Sequence, residues 1–350
     1  MLKSPKMLLA AIAVLGAIGF SACEKLKTEG PVSGFEYDTN SQINYSNIKN
    51  HDISGYRGGS GCGEILVFDD METFKHALSE LERQVEEYDD AFVAYYSGLN
   101  EEELFEKEQE INYSEYKPMT DFENYLDFHS SNADYLIAEA QYLDGDMNEE
   151  DDPELLFIGD EEERSLLNAC NEVMVNDTIY KLTEDGYFVI SDGNFRMLEQ
   201  LDDFDNLPEN VSFIGGDNSS SMRMEECKTK YFDSDRKFND PSTRKIEWYL
   251  KKGNNFFGSY LTAKTKNFKK RSNGRFKKYR TLTKVNVSGV TYESCDSSAE
   301  VAPEAATKKK KRRSVKRKIR VDSDSYIKSG SIKGYHYGAN GIEHHSILTW

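Results

Sequence analysis

The densest chemistry in this chain is cationic and aromatic. Phe268, Lys269, Lys270 and Arg271 are followed by Ser-Asn-Gly and then by Arg275, Phe276, Lys277, Lys278, Tyr279 and Arg280. An Asn-Gly pair between two such arms reads as a two-residue type I′ hairpin turn, which pairs Phe268 with Tyr279 and Arg271 with Phe276. Charge then falls on both faces of the ribbon, and because unpaired charges resist burial, the hairpin tip is expected to project into water. Stacking rings among cations are the equipment of a polyanion-binding surface, and these ten residues are the candidate site. A second block, Lys308 to Arg320, holds 10 Lys or Arg in 13 residues and reads as a solvated loop.

Other chemistries find less support. The six histidines (51, 76, 129, 336, 344 and 345) include no HExxH, and no GxSxG elbow occurs. His344 and His345 are adjacent, so on a strand they point to opposite faces and cannot share an ion. Asp144, Asp146 and Asn148 match the first ligands of an EF-hand loop, but Glu149 stands where glycine is required and Leu155 where the bidentate Glu belongs. The run from Asp144 to Glu154 therefore reads as a solvated acidic loop. No metal and no cofactor is expected. Carboxylates are so abundant that a pair at glycosidase spacing would arise by accident. Gly58 to Gly63 lacks the Lys-Ser/Thr of a phosphate loop and reads as flexible linker.

Behind these groups lies a strong charge asymmetry. Residues 1–227 carry 14 Lys and Arg against 51 Asp and Glu, a net of −37, whereas residues 228–350 carry 30 against 11, a net of +19. The acidic half patterns as helices. Asp69 and Glu72 form a capping box ahead of a stripe of Phe74, Leu78, Leu81, Val85, Tyr88 and Phe92, spaced by threes and fours. Asn100 with Glu103 opens a helix over 101–111, Thr120 with Glu123 one over 121–128, and 132–143 is helical too. A strand at 64–68 precedes them. Residues 173–182 and 187–190 read as two strands about an Asp-Gly turn. The basic half is rich in Tyr, Phe, Thr and Val without helical period, which predicts antiparallel strands ending at 345–350. The expected fold is α+β: an acidic, mostly helical domain over 64–226 with a small hairpin, then a basic antiparallel β domain over 227–350 with a disordered Lys/Arg loop near 297–324.

The start of the chain supplies an address. Lys3 and Lys6 precede Met7 to Phe20, 14 residues without a charge, and Phe20-Ser21-Ala22-Cys23 closes the segment. This is the layout of a secretion signal, too short to span a bilayer comfortably. It resembles a bacterial lipobox, which implies removal of residues 1–22, lipidation of Cys23 and a lipid-held chain whose polar residues 23–63 form a tether. The remaining Cys62, Cys170, Cys227 and Cys295 are even in number and, in an exported chain, free to form disulfides. Of three pairings, Cys62 with Cys170 and Cys227 with Cys295 respects the domain boundary.

Together, the lipobox, the tether, the acidic helical segment, the run from Arg164 to Asn168 and from Glu172 to Gly186, and the basic β tail resemble Bacteroidetes-type lipoproteins of unassigned function. The resemblance implies an outer-membrane lipoprotein, and Glu24-Lys25-Leu26-Lys27 after the cysteine favours the periplasmic face. The expected role is non-enzymatic: binding of a polyanion or protein partner through the basic half, with nucleic acid disfavoured as the native ligand. One alternative is a glycan- or peptidoglycan-directed hydrolase acting through carboxylates. Another is a structural lipoprotein whose acidic and basic halves complement each other across a salt-sensitive interface.

Overall fold

The period-3.6 stripe is realised as α1 (Met71–Tyr95), which follows the short strands β1 (Ile48–Asp52) and β2 (Glu64–Phe68). In the computed structural model, which describes residues 35, 37, 45–56, 62–145, 147, 151–183, 186–201, 207–215, 243–292, 300–301, 306–321 and 329–350, Phe74, Leu78, Leu81, Tyr88 and Phe92 of that stripe are buried. The expected signal segment and lipidated Cys23 lie outside the described residues, as do Cys227 and Cys295. The cap falls one residue later than expected, with Asp70 accepting the Thr73 amide at 2.7 Å. At α2 (Glu101–Glu110) the Asn100/Glu103 box forms on both arms. Helix α3 (Lys117–Tyr125) begins four residues before the expected start. Pro118 suits a first turn, and the Thr120 amide already donates to the Tyr116 carbonyl, so Thr120 is interior and not a cap. Next come α4 (Ser131–Asp144) and the short α5 (Glu161–Ser165).

All five helices sit between β2 and β3 (Glu172–Val175), which pair in parallel. The sheet continues through β4 (Thr178–Thr183), β5 (Gly186–Ile190) and β6 (Val211–Gly215) in the order β1-β2-β3-β4-β5-β6. The sequence pattern runs β3 and β4 together as one strand. Asn176 and Asp177, at φ 49° and 57°, instead make a two-residue turn of the type I′ kind between them. Leu66, Phe68 and Val173 pack with α1 and α3 on one side of the sheet, and Ile65, Ile179, Phe188 and Ile190 with Leu198 on the other.

The basic half makes two antiparallel sheets. One is β13-β8-β7, with β9 also on β8; the other is β11-β10-β14-β15, with β12 also on β10. The strands are β7 (Arg244–Asn255), β8 (Gly258–Lys270), β9 (Phe276–Lys278), β10 (Thr281–Tyr292), β11 (Glu300–Val301), β12 (Lys308–Arg312), β13 (Ser314–Val321), β14 (Ser329–Tyr337) and β15 (Glu343–Thr349). Leu250, Leu261 and Ala263 of the first sheet meet Val285, Val287, Ile332 and Leu348 of the second in a shared core. The Lys/Arg segment is therefore not a disordered loop but two strands. Alternation explains how it folds: Lys308, Lys310 and Arg312 turn inward to acids of α1, while Lys309 and Lys311 face away. The molecule is α+β with antiparallel sheets, and Tyr37–Trp350 forms one compact unit.

Candidate functional site

The most heavily engineered region of charge is a buried layer between the acidic helices and one face of the β13-β8-β7 sheet. Register brings Tyr249, Lys264 and Lys316 abreast, with Lys251 and Lys318 one step along and Lys266 on the other side. Glu154, 1% exposed, is held by Lys264 and Lys266, both at 2.8 Å, and by Lys251. Lys266 also reaches Glu139 at 3.0 Å, and Tyr135 donates its hydroxyl to Glu154 at 2.8 Å. Further along, Lys318 bridges Asp160 at 2.7 Å and Glu163 at 2.5 Å, while Lys316 binds Asp160 and Glu162. At the other end Arg280 clamps Asp89 and Glu108, each at 2.6 Å, and Arg312 and Arg313 hold the same two carboxylates at 3.1 and 3.0 Å.

Burial drives Asp89, Glu139, Glu154 and Asp160 toward neutrality, and the cations more than reverse it. Glu154 lies well below the usual carboxylate range because Lys251, Lys264 and Lys266 outweigh its desolvation. Glu139 falls to about 2 through Lys278 and Lys266, again against burial. Glu163 stays raised, by burial and the neighbouring Asp160 despite Lys318, and so does Glu162. Burial, with Asp160 and Glu161 close by, pushes it up to about 7 despite Lys316. Arg164 is fully buried beneath the layer, its guanidinium 4.0 Å above the Tyr135 ring and donating to the Gly159 carbonyl. The expectation of a solvated acidic loop is corrected at its far end, since Asp152 and Glu154 are both 1% exposed and bonded into this layer.

The hairpin expected to bind polyanions divides in two. Its tip, Lys270 to Arg275, is exposed. Its base is not: Phe268, Lys278, Tyr279 and Arg280 are buried. Lys278 bonds Glu115 and Glu139, Lys269 pairs with Glu102, and Arg275 and Lys277 reach Asp144 at 3.2 and 3.6 Å. The register is also one residue off the expected one, Phe268 opposing Lys278 and Lys270 opposing Phe276. Gly274 at φ +86° makes a three-residue loop where the Asn-Gly motif predicted two, with the Arg271 amide donating to the Arg275 carbonyl. A one-residue slip exchanges the two faces, which turns Lys278 inward to its acids.

Two recesses open to the surface, one of them beside the layer and the other at the start of α1. One of about 70 Å³ is lined by Asp89, Glu115, Glu161, Glu162, Lys264 and Lys316, and has room for water. The other, about 250 Å³, is bordered by Asn47, Asp70, Glu72 and His76. Glu161 and Glu162 share the first cavity, yet Lys264 and Lys316 already engage them. His336 is buried between Thr265 and Ser346, each at 3.0 Å, and burial, with His344 and His345 adding to it, lowers it to about 3. Among the described residues no three His, Cys, Asp or Glu side chains group to hold a metal ion, and no helix is long and apolar enough to cross a membrane.

Cys62 and Cys170 form a disulfide with Cα atoms 5.9 Å apart. Each stands two residues before one of the parallel strands β2 and β3, so the bond fastens the start of that pairing. The sequence reading did not single out Lys284, Lys333, Tyr335 and Tyr337, which share the outward face of β10 and β14. The signal that could have found them is the alternation of Lys333, Tyr335 and Tyr337 with Gly334, His336 and Gly338.

Fold and layer together define an α+β protein closed by internal ion pairing. No protein-family model matches the chain, and no curated protein matches it. Among solved structures, the crystal structure of a DUF4848 family protein from Bacteroides thetaiotaomicron is similar over 82% of this chain and 97% of that one, at 11% identity and a TM-score of 0.20, too low to carry an argument.

Proposed function

We propose that this chain is a lipid-anchored envelope protein with a non-enzymatic binding role, tethered through Cys23 and held toward the periplasm at the outer membrane. In this reading the acidic helical half and the basic β half are two parts of one body, and the polyanion is met by cations left over from their union. The observation that carries the non-enzymatic reading is the state of the carboxylates: the acids flanking the 70 Å³ cavity, Asp89, Glu115, Glu161 and Glu162, are already engaged by Lys or Arg. A hydrolase needs a paired acid and base facing a cleft that accepts its substrate.

The ionic layer also favours the structural alternative, in which the two halves complement each other and no external ligand exists. Because the pairs are buried, salt should weaken them little, unlike the salt-sensitive interface the sequence suggested. The chain expressed from residue 24, without the acylated cysteine, separates the readings. Binding to heparin or lipopolysaccharide that falls steeply between low and high salt supports the binding role. Absence of binding to any polyanion leaves the structural role, and release of sugars from peptidoglycan would overturn both.

A further inference from the structure

We infer that the outward face of the β12-β10-β14-β15 sheet is a docking surface for an acidic polysaccharide. The inference rests on the binding role proposed above and names its surface and ligand. Alternation decides which residues face out. Lys309, Lys284, Tyr337 and Glu343 stand abreast across the four strands, Asn286, Tyr335 and His345 form the next row, and Ser288, Lys333 and Ile347 the one after. The opposite face of this sheet packs into the core through Val285, Val287, Ile332 and Leu348. The two faces of β12 show the contrast. Its inward Lys308, Lys310 and Arg312 are all paired with Glu86 or Asp90 of α1.

Outside, Lys284, Lys309, Lys311 and Lys333 make no ion pair among the described residues, and Lys309 and Lys333 are exposed. Spacing along and between strands puts Lys284 and Lys333 about 14 Å apart, with Lys309 and Lys311 about 7 Å from each other. Four unneutralised cations on a flat face are complementary to a polymer carrying well-separated negative groups. The rest of the face presents tyrosine rings and hydroxyls, which suit a sugar polymer. Between the cations lie two half-buried rings against which a sugar ring can stack: Tyr337 has the Lys284 ammonium 4.8 Å over its ring, and Tyr335 donates its hydroxyl to Glu343. Ser288, half-buried on the same face, adds a hydroxyl that can exchange hydrogen bonds with a sugar.

The test uses the chain from residue 24 with heparin, polygalacturonate, neutral dextran and oligothymidine as probes. We expect both acidic polysaccharides to bind and dextran not to. The K284Q/K309Q/K311Q/K333Q protein should bind them at least about tenfold more weakly at low salt, since each lost cation removes a counterion-release step. A K270Q/R271Q/R275Q protein, altered only at the exposed hairpin tip, should bind as before. Protection of the four lysines from acetylation by bound heparin in the unaltered protein provides a readout that does not depend on variant folding. Equal binding by the quadruple variant, or loss on altering the tip, overturns this surface and leaves the binding role standing. No binding to either acidic polymer overturns this surface, and the binding role falls with it only if lipopolysaccharide and oligothymidine are not bound either. Tighter binding of oligothymidine, or a dimer that the quadruple variant dissolves, overturns the polysaccharide in favour of nucleic acid or a second copy.

Discussion

Arg280 offers the sharpest test of the ionic layer. Its side chain is fully buried, donating to Asp89 through two nitrogens at 2.6 and 2.8 Å and to Glu108 at 2.6 Å, with its guanidinium 5.3 Å from the Phe92 ring centre. Arg280→Met keeps much of the packing but removes three charged hydrogen bonds. Asp89 retains the Arg312 ion pair and the Tyr113 hydroxyl, and Glu108 retains Arg313 on its other oxygen, so Asp89 Oδ2 and Glu108 Oε1 lose their hydrogen-bond donors. Breaking a buried pair costs about 3–5 kcal/mol, and these surviving partners place Arg280→Met near about 3. Asp89→Asn should cost more, about 5 kcal/mol, because it removes the carboxylate between Arg280 and Arg312 and leaves them Glu108, shared with Arg313, and the half-exposed Asp90. At about 2–4 °C per kcal/mol for a domain of this general size, the melting temperature should fall by roughly 10 °C for Arg280→Met. Arg320→Met, which removes a pair with Glu82 at side-chain exposures of 40% and 32%, should cost less than about 1 kcal/mol and lose that effect in high salt. Thermal melts at low and high sodium chloride measure all three. If Arg280→Met behaves like Arg320→Met in size and salt response, the layer is wet and the argument from burial fails.

Four further outcomes follow from the same contacts. Glu123 is buried beneath the Ser130 hydroxyl, and burial raises it to about 7 from an ordinary 4.5. A raised acid favours the protonated fold, so its contribution is complete below pH 4.5 and lost as pH rises through 7; Glu123→Gln should stabilise by up to about 3 kcal/mol at pH 8 and by little at pH 4, read by urea unfolding at each pH. Glu139, Glu154 and Asp160 are lowered, so their contribution is complete above pH 4.5 and lost as pH falls toward 2, and circular dichroism should show acid unfolding in that window. Cys62→Ser with Cys170→Ser opens a crosslink of sequence separation 108 and should cost about 2–5 kcal/mol, with hydrogen exchange accelerated first along β2 and β3. Gly253 lies under the ring of its cross-strand neighbour Tyr260, where an added Cβ would sit 2.1 Å from Cζ, so Gly253→Ala should lower stability by about 1–3 kcal/mol in the same melts.

What could be read from the chain follows the kind of contact that covers each element. Helix α1 was legible because its buried stripe is apolar and sits opposite the sheet residues Leu66 and Phe68. Caps were legible where the side chain and its amide lie three residues apart, as at Asn100, and misplaced where neighbouring residues compete for the role, as Asp69 and Asp70 do. The disulfide followed from cysteine count and position alone. Hairpin register was not legible, because Asn-Gly serves both a two-residue loop and a three-residue loop with Gly274 left-handed, and only the Glu115 and Glu139 carboxylates awaiting Lys278 distinguish them.

The Lys/Arg segment shows why the remainder escaped. Strand patterns are recognised by apolar residues on alternate positions, on the premise that the covered face is covered by hydrocarbon. In β12 and β13 the covered face is cationic, since what lies over it is a set of acidic helices: Lys308, Lys310, Arg312, Lys316 and Lys318 alternate as an apolar strand would, each opposite a Glu or Asp more than 150 residues away. Read alone, the segment has only Val315 and Ile319 for a hydrophobic side and looks like solvated chain. Its period-two logic appears only when the −37 of the acidic half is treated as its core. A buried ion pair adds little net stability over a hydrophobic pair, but a cation left facing the wrong carboxylate is costly, so the layer's contribution is to reject every register but one. The same alternation that turns five cations inward necessarily turns Lys309 and Lys311 outward, and the β10 and β14 residues in register with Lys309 add Lys284 and Tyr337 beside it. A cationic outer face is thus a geometric consequence of the ionic core rather than a separate feature of the sequence.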